Sequence, residues 1–237
     1  MPNSYFKFKK FTVFHDKCAM KVGTDSVLLG AWVDVNNAKK VLDIGSGCGL
    51  LSLMVAQRTP KAQITGIEIE KDAAEQAKEN IENSEWKDRI EIIHSDIKSY
   101  DTSDKFDLIL SNPPFFSHRS LKCENKARNN ARHTSSLTFS ELLECITNLL
   151  HNDGEFSVVI PFENTSEFIS NAAGLKLYLS RKTIVRTLEG YEPKRILLSF
   201  RKKMINQTEY DDISIEKTHH TYTEKFSNLV KDFYINL

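Results

Sequence analysis

The chain has 237 residues, with 32 basic and 32 acidic side chains and an apolar fraction of 40%. That composition predicts one soluble domain with a sizeable core, and its neutrality requires any nucleic-acid binding to come from a local patch. No apolar run approaches the roughly 18 residues of a membrane span, and the N-terminus lacks the apolar region of a secretory signal, so we expect a cytoplasmic protein. The four cysteines are scattered and form no CxxC pair, which argues against a disulfide framework and a structural zinc site.

Residues 1–40 are predicted to form an N-terminal extension with a strand and a helix. In "FKFKKF", lysines alternate loosely with phenylalanines, which is consistent with a strand that has one basic and one apolar face. The segment "KVGTDSVLLGAW" predicts a helix that starts at Thr24 or Asp25.

From residue 40 onward, apolar runs of strand length alternate with helix-like segments. The runs are "KVLDIGSG", "QITGIEIE", "IEIIHSD", "FDLILSN", "GEFSVVIP" and "RILLSFRK". Such alternation predicts βαβ units on a mostly parallel sheet. Two of the helices carry capping-box residues, Thr138 with Glu141 and Asn164 with Glu167.

The last part of the chain departs from this alternation. Too few residues separate "KLYLSRKTIVRT" from "KRILLSFRK" for a parallel crossover, so we expect an antiparallel pair that closes the sheet. Residues 213–237 are predicted as a helical extension with an apolar face that packs on the domain, formed by Phe226, Leu229, Val230 and Phe233. We interpret residues 1–237 as a single domain.

The segment "VLDIGSGCGLLSLMVAQRTP" predicts a strand, a glycine loop and a helix. Gly45, Gly47 and Gly49 let the backbone turn tightly and let a ligand approach without a Cβ in the way, while the helix N-terminus offers unpaired N–H groups. This arrangement suits a nucleotide-like or carboxylate-bearing ligand. The GxGxxG dinucleotide fingerprint is absent, which disfavours a dehydrogenase.

Acidic side chains stand at the ends of the next two strands. Glu68 follows Gly49 by 19 residues, where a carboxylate can accept both ribose hydroxyls of a nucleotide. Glu70 lies on the same face and is the competing candidate, unless it starts the following helix. Asp96, one strand later, can accept from an adenine amino group. Each acid alone is more often a helix cap or a solvated strand end, but suitable groups at successive strand ends favour a nucleotide site.

These segments resemble the class I methyltransferases that use S-adenosylmethionine, with "VLDIGSGCG", "IEIE" and "SDI" as the first three motifs. The resemblance implies an α/β, Rossmann-like, seven-stranded sheet that is mostly parallel, with the last strand antiparallel and helices on both faces. It also implies that the glycine loop faces the methionine part of the cofactor, that Glu68 binds ribose, and that Asp96 and Ile97 lie by the adenine. Asp43 would orient the loop or the methionine amino group.

The fourth strand of this scheme ends in "NPPF", at the carboxyl edge where ligands bind in open α/β folds. If Asn112 Oδ1 and the Pro113 carbonyl both accept from an amino group conjugated with a ring, its lone pair can point at the methyl group. Pro113 and Pro114 make this arrangement rigid, and Phe115 can stack on a flat substrate. The alternative is a strand stopped by prolines, with aromatics that cover the core. The motif resembles the [DNS]PP[FYW] sequence of amino methyltransferases, whose substrates are adenine N6, guanine N2 and glutamine amide nitrogens.

A basic cluster follows this motif. It suits phosphate contacts that hold a nucleic acid while one base enters the pocket, although such a charge run is usually a solvated face. The candidate RNA-binding residues are Arg119, Lys122, Lys126, Arg128, Arg132 and His133.

Three further segments resemble bacterial tRNA1(Val) adenine-37 N6-methyltransferases: "FKFKKFTVFHDKCAMKVGTDSVLLGAW", "ARHTSSLTF" and "YTEKFSNLVKDFYI". This resemblance covers nearly the whole chain and implies methyl transfer from S-adenosylmethionine to adenine 37 in a tRNA anticodon loop. We also expect a monomer that uses no metal. Lys21, Thr24 and Asp25 could reach the methionine carboxylate or amine, or only cap their helix. Phe115 replaces the tyrosine common in related motifs and loses only a hydroxyl.

Three alternatives stay open at the level of sequence. Release-factor glutamine methyltransferases also use "NPP" followed by an aromatic, but they carry a longer helical N-terminal domain than residues 1–40 allow. Only the family resemblance excludes methylation of guanine N2 in ribosomal RNA. A noncatalytic RNA-binding module with this fold is disfavoured because Gly45, Glu68, Asp96 and Asn112 are all present.

Overall fold

The computed structural model describes residues 3–114 and 137–237. Its first half contains an N-terminal hairpin and four strands that alternate with helices. In chain order these elements are β1 (Tyr5–Lys7), β2 (Thr12–Phe14), α1 (Thr24–Trp32), β3 (Lys40–Ile44), α2 (Leu50–Arg58), β4 (Gln63–Glu68), α3 (Lys71–Glu82), β5 (Ile90–His94) and β6 (Phe106–Ser111).

The second half begins with two helices around a long strand and ends in a group of strands with a short helix. These elements are α4 (Phe139–Leu149), β7 (Leu150–Pro161), α5 (Thr165–Gly174), β8 (Tyr178–Leu188), β9 (Arg195–Arg201), β10 (Glu209–Thr218), β11 (Thr221–Tyr222) and α6 (Glu224–Val230). None of the helices in the described ranges is long and apolar enough to cross a membrane.

The main sheet has the strand order β11-β10-β8-β9-β7-β6-β3-β4-β5. Strands β3 to β7 are mutually parallel, and β9 lies antiparallel between β7 and β8. The predicted α/β fold with a mostly parallel sheet and an antiparallel pair of strands, β8 and β9, is therefore confirmed, whereas the predicted count of seven strands with the last one antiparallel differs from the structure.

Two edge strands extend this sheet to nine within the described residues. β10 runs parallel to β8, and β11 pairs antiparallel with β10. The prediction of a helical extension from residue 213 was wrong over its first part, because residues 213–218 belong to β10 and the helix starts only at Glu224. The reason is an alternation of period two in "DISIEK", with Ile213 buried, which suits a strand added to the open edge of β8.

Apolar side chains cover both faces of the sheet. One cluster joins α1, α2, α3 and α6 to one face, and the other joins α4 and α5 to the opposite face. This confirms the expectation of helices on both faces. The apolar stripe at the C-terminus is also buried at Phe226, Val230 and Phe233, although Phe233 lies beyond the end of α6.

The two predicted capping boxes had different outcomes. Thr138 accepts from the backbone N–H of Glu141, whose carboxylate accepts in return from the backbone N–H of Thr138, so that capping box is confirmed. Asn164 precedes α5 but makes no side-chain cap within the described structure. Its φ of −89° and ψ of 0° place it in a 3₁₀ turn, and not in the extended conformation from which a capping side chain reaches the helix.

The N-terminal hairpin is tied to the main domain beside the glycine loop. Asn80 on α3 accepts from the backbone N–H of Phe14 at 2.9 Å and donates to the Phe14 carbonyl at 2.8 Å. The same amide donates to the carbonyl of Cys48 at 2.9 Å. The expected strand with a basic and an apolar face is only three residues long, and Phe8 and Phe11 are buried in and after the turn that follows it.

Candidate active site

The carboxyl ends of β6, β3, β4 and β5 lie side by side at one edge of the sheet. Ile44 pairs with Ser111 across β3 and β6, and Glu68 pairs with His94 across β4 and β5. Because these strands are parallel and adjacent, the segments that follow them meet at this edge. The structure thus brings together the glycine loop, the acidic strand ends and the Asn112 segment.

The glycine loop between β3 and α2 has a backbone that only glycine adopts readily. Gly45 and Gly47 have φ values of +74° and +55°, in the left-handed region. A Cβ added at either position would meet no described atom within 4 Å, so the loop faces open space. The N–H groups of Gly45 and Ser46 both donate to the Ile67 carbonyl, at 2.9 and 3.1 Å, which holds the loop against the end of β4.

Glu68 supports this loop directly. Its Oε2 accepts from the N–H of Gly47 at 2.7 Å, and its Oε1 accepts from the N–H of Glu70 at 2.9 Å. The side chain is buried, yet each carboxylate oxygen has a second lone pair for a further donor. Glu70 is exposed and occupies the N-cap position of α3, as the alternative interpretation expected.

Asp43 is buried at the end of β3. Its Oδ2 accepts from the Ser52 backbone N–H at 3.1 Å and from the Ser52 hydroxyl at 2.7 Å, which connects β3 to the first turns of α2. Its Oδ1 is buried and has no partner among the described atoms. Burial raises the pKa of this carboxyl group to about 7, against the lowering effect of the two Ser52 hydrogen bonds.

Asp96 follows β5 and starts a 3₁₀ turn. Its Oδ1 accepts from the backbone N–H of Lys98 at 2.9 Å, and the next residue, Ile97, is buried in the core. The carboxylate is partly exposed at the same sheet edge as Glu68.

The start of α1 carries the candidates Lys21, Thr24 and Asp25. The N-cap position is Gly23, and no side-chain capping bond forms there within the described structure, so capping does not explain these residues. Lys21 and Thr24 are exposed. Asp25 Oδ2 instead accepts from Nε of Arg195, at the start of β9, at 2.7 Å.

Asn112 and Pro113 follow β6 at the centre of this edge. The Nδ2 group of Asn112 donates to the Ser26 hydroxyl on α1 at 2.8 Å. Its Oδ1 is buried and accepts no hydrogen bond from the described part of the chain. Pro113 is buried and Pro114 is exposed. Phe115 and the six basic candidates, from Arg119 to His133, lie outside the described residues.

Three residues that contact the candidates were not predicted from the sequence. Ser26 bonds to Asn112, Arg195 pairs with Asp25, and Ser52 bonds to Asp43. The contact of Ser52 was predictable from a local pattern, because Ser52 lies in the helix after the glycine loop and is close to Asp43 in the chain. Ser26 and Arg195 had no comparable signal, because their partners are 86 and 170 residues away in the chain.

The fold and this site define the class of the protein. The features expected of a class I methyltransferase are a glycine loop after β3, acids after the neighbouring strands and an antiparallel strand, β9, within a mostly parallel sheet. The family model for the methyltransferase small domain matches residues 10–191, and the chain therefore belongs to that family.

Curated relatives of similar length indicate which members of this family the chain resembles. A tRNA1(Val) (adenine(37)-N6)-methyltransferase of Phocaeicola vulgatus is 50% identical over 237 residues, which is 100% of both chains. A protein of the same name from Bacteroides thetaiotaomicron is 45% identical and also covers 100% of each chain. Among solved structures, that of a predicted O-methyltransferase from Agrobacterium tumefaciens matches with a TM-score of 0.69 and 20% identity, over 88% of this chain and 96% of the other. That structure supports the fold.

Proposed function

We propose that this protein transfers a methyl group from S-adenosylmethionine to the exocyclic N6 amine of adenine 37 in the anticodon loop of tRNA1(Val). The full-length relatives carry this activity in their names. The structural observation that carries the proposal is Asn112 Oδ1, a buried acceptor without a described partner, which follows a central strand at the ligand-binding edge. An unpaired acceptor at that place suits a substrate that brings hydrogen-bond donors, as an amino group does.

The residues at this edge fit S-adenosylmethionine. When bound, the cofactor supplies an electrophilic methyl group on a positively charged sulfur. The open space above Gly45 and Gly47 accommodates a ligand against the backbone, and Asp43 Oδ1, which has no partner among the described residues, can accept from a cationic amine. We assign Glu68 to the ribose, and Asp96 and Ile97 to the adenine. The remaining assignments, to the methionine part, are Lys21, Thr24, Asp25, Asp43, Gly45, Gly47 and Gly49.

Asn112 and Pro113 position the substrate amine. Asn112 Oδ1 and the Pro113 carbonyl accept its two hydrogens, so the nitrogen lone pair is directed out of the plane of the base. A strong base is unnecessary, because the leaving group is neutral after transfer and the amine loses its proton afterwards; positioning supplies most of the rate advantage. The rings of Pro113 and Pro114 fix the local backbone, which keeps both acceptors converged. We assign Phe115 to stacking on the base.

The RNA is held by the basic cluster from Arg119 to His133, which follows the NPPF motif in the chain. These side chains would contact phosphates and leave base recognition to the pocket. Adenine 37 is a suitable target because an unpaired loop base costs little to extrude. The proposed protein is a cytoplasmic monomer that functions without a metal, with one domain over residues 1–237 that includes an N-terminal extension at residues 1–40.

Methyl incorporation from labelled cofactor tests this function. The substrates are unmodified tRNA1(Val) transcript and the same transcript with adenine 37 changed to guanine. We expect label only in the first, and Asn112→Ala should lower its rate at least about 100-fold while the cofactor Kd stays within a few fold.

Other outcomes of this experiment identify the error. Label in both transcripts would reject adenine 37 as the target. Label in neither, with the cofactor bound normally, would reject tRNA1(Val) and direct the search to ribosomal RNA and release factors. Loss of both transfer and cofactor binding in Asn112→Ala would mean that Asn112 is structural.

A further inference from the structure

One hydrogen bond connects the end of β6 to the first turn of α1. Asn112 Nδ2 donates to Ser26 Oγ at 2.8 Å, although the two residues are 86 positions apart in the chain. The opposite atom of the same amide, Oδ1, is buried and has no partner in the described ranges. One end of the Asn112 amide is thus occupied by the protein, and the other end is left for a ligand.

The direction of this bond decides which atom the ligand meets. A serine hydroxyl can donate or accept, so a rotated Asn112 amide could place Oδ1 on Ser26 and the NH₂ group at the ligand position. That rotation would bury two N–H donors without an acceptor. Buried N–H groups without partners are rarer than carbonyl oxygens without partners, which favours the arrangement with Oδ1 towards the ligand.

Ser26 itself is held by its surroundings. It is the third residue of α1, between Asp25, which pairs with Arg195 at 2.7 Å, and the fully buried Val27. At the other end of α1, Trp32 Nε1 donates to Thr183 Oγ1 on β8 at 2.8 Å. With both ends of α1 anchored to the sheet, the Ser26 hydroxyl is a fixed point against which the amide is oriented.

We propose that Ser26 is a positioning residue for methyl transfer: its hydroxyl accepts from Asn112 Nδ2 and thereby keeps Asn112 Oδ1 directed at the substrate amine. This proposal rests on the proposed function of the site. A rotated amide would present N–H groups to the N–H groups of the substrate, so it would repel the amine it should bind. Ser26 therefore acts on the step in which the bound amine is aligned, and has no direct part in binding cofactor or tRNA.

Kinetics of three variants test this role. Ser26→Ala removes the acceptor, and Ser26→Thr retains a hydroxyl. The control is Ser84→Ala, because Ser84 lies just after the C-terminal end of α3 and its hydroxyl donates to the Ile81 carbonyl. We expect Ser26→Ala to lower kcat about tenfold with KM for tRNA and the cofactor Kd within about twofold, since one orienting hydrogen bond is lost. Ser26→Thr should restore kcat to within about threefold of the original protein, and Ser84→Ala should not change it.

A spectroscopic measurement tests the contact without any turnover. The side-chain amide protons of Asn112 in the free protein are assigned by their absence in Asn112→Ala, and their exchange with solvent is followed by NMR. We expect slow exchange in the original protein and in Ser26→Thr, and exchange faster by about tenfold in Ser26→Ala.

The two measurements separate failure of this proposal from failure of the proposed function. Unchanged kcat and unchanged amide exchange in Ser26→Ala would overturn the positioning role, even if the original protein methylates adenine 37. A rise in KM or cofactor Kd with unchanged kcat would also overturn it, because it would make Ser26 a binding residue. If the original protein fails to methylate the transcript, the proposed tRNA function fails, and the amide exchange alone decides whether Ser26 orients Asn112.

Discussion

At the scale of single residues, the site is built from polar groups whose hydrogen-bonding capacity is only partly used. One carboxylate oxygen of Asp43 accepts from Ser52, and the other is buried without a described partner. In the Asn112 amide, Nδ2 donates to Ser26, and Oδ1 is buried without a described partner. Burial of such groups costs free energy unless a ligand completes their hydrogen bonds. The two unused oxygens are therefore prepared to accept hydrogen bonds from a bound cation or amine.

The raised pKa of Asp43 leads to a prediction about stability and pH. In the unfolded chain this carboxyl group titrates near 3.8, whereas burial raises its pKa in the folded protein to about 7. The folded state thus binds the proton more tightly, and the Asp43 contribution to the free energy of unfolding falls as pH rises from about 4 to 7, by on the order of a few kcal/mol. We expect Asp43→Asn to become more stable relative to the original protein across this range, measured by urea unfolding.

A matched control isolates the effect of burial. Like Asp43, Asp107 accepts two hydrogen bonds, here from the backbone N–H groups of Lys39 and Lys40, but it lies at the opposite edge of the sheet and is only half-buried. Asp107→Asn measured by the same unfolding experiment controls for the loss of a hydrogen-bonded carboxylate that is not fully buried. A constant stability difference between Asp43→Asn and the original protein from about pH 4 to 7 would contradict the prediction.

At the scale of elements, the turn from β3 to α2 requires glycine for two separate reasons. Gly45, Gly47 and Gly190 all have positive φ values, so a Cβ would strain the backbone at each of them. Gly190 lies in the turn between β8 and β9, and β7 and β6 separate these two strands from β3 in the sheet order. Only at Gly45 and Gly47 would the added Cβ also enter the space assigned to the cofactor.

Gly47→Ala and Gly190→Ala separate these two costs. Each should lower the free energy of unfolding by about 1–2 kcal/mol, because an L-residue is forced into the left-handed region. Only Gly47→Ala should also raise the cofactor Kd, by at least about tenfold, as measured by calorimetry. Equal cofactor affinity in the two variants would mean that the glycine loop does not contact the ligand.

At the scale of the whole molecule, charge is balanced overall and concentrated locally. The chain has 32 basic and 32 acidic side chains, yet residues 119–133 contain five Lys or Arg residues and one Glu. An excess of that kind affects binding to a polyanion mainly by releasing counterions, which makes the affinity depend on salt. The basic cluster lies outside the described residues, so its role in binding tRNA is tested through this salt dependence.

Charge reversal at Arg128 and Arg132 is expected to weaken tRNA binding and to reduce the slope of log Kd against log salt concentration by about 1–2. The control is Lys39→Glu with Lys61→Glu, which changes the net charge equally at two exposed lysines just before β3 and β4, at the opposite edge of the sheet. The control should keep the original slope. An unchanged slope in the first variant would show that the basic cluster is only a solvated face.

Most of the fold could be predicted because its signals are local. The period-two and helical patterns of the apolar residues placed the strands and helices, and the Thr138 capping box was visible as two residues at fixed spacing. The prediction failed where a local signal depended on tertiary surroundings. Asn164 has the right residue type for a cap, but the 3₁₀ turn before α5 directs its backbone away from capping geometry. Strand β10 was missed because its alternation is weak and it becomes a strand by pairing with the free edge of β8.

The sequence by itself determined the order of the elements up to β9, the glycine loop and the polar residues that follow the parallel strands, because each depends on residues close together in the chain. Only the tertiary structure decided that Ser26 lies against Asn112 and that Arg195 pairs with Asp25. It also decided that the carboxylate of Glu68 accepts hydrogen bonds from loop N–H groups. These contacts join elements that become neighbours when the sheet assembles in the order β9-β7-β6-β3-β4 with α1 packed beside it. No local pattern encodes that order, so the orientation of the Asn112 amide follows from the packing of the whole domain.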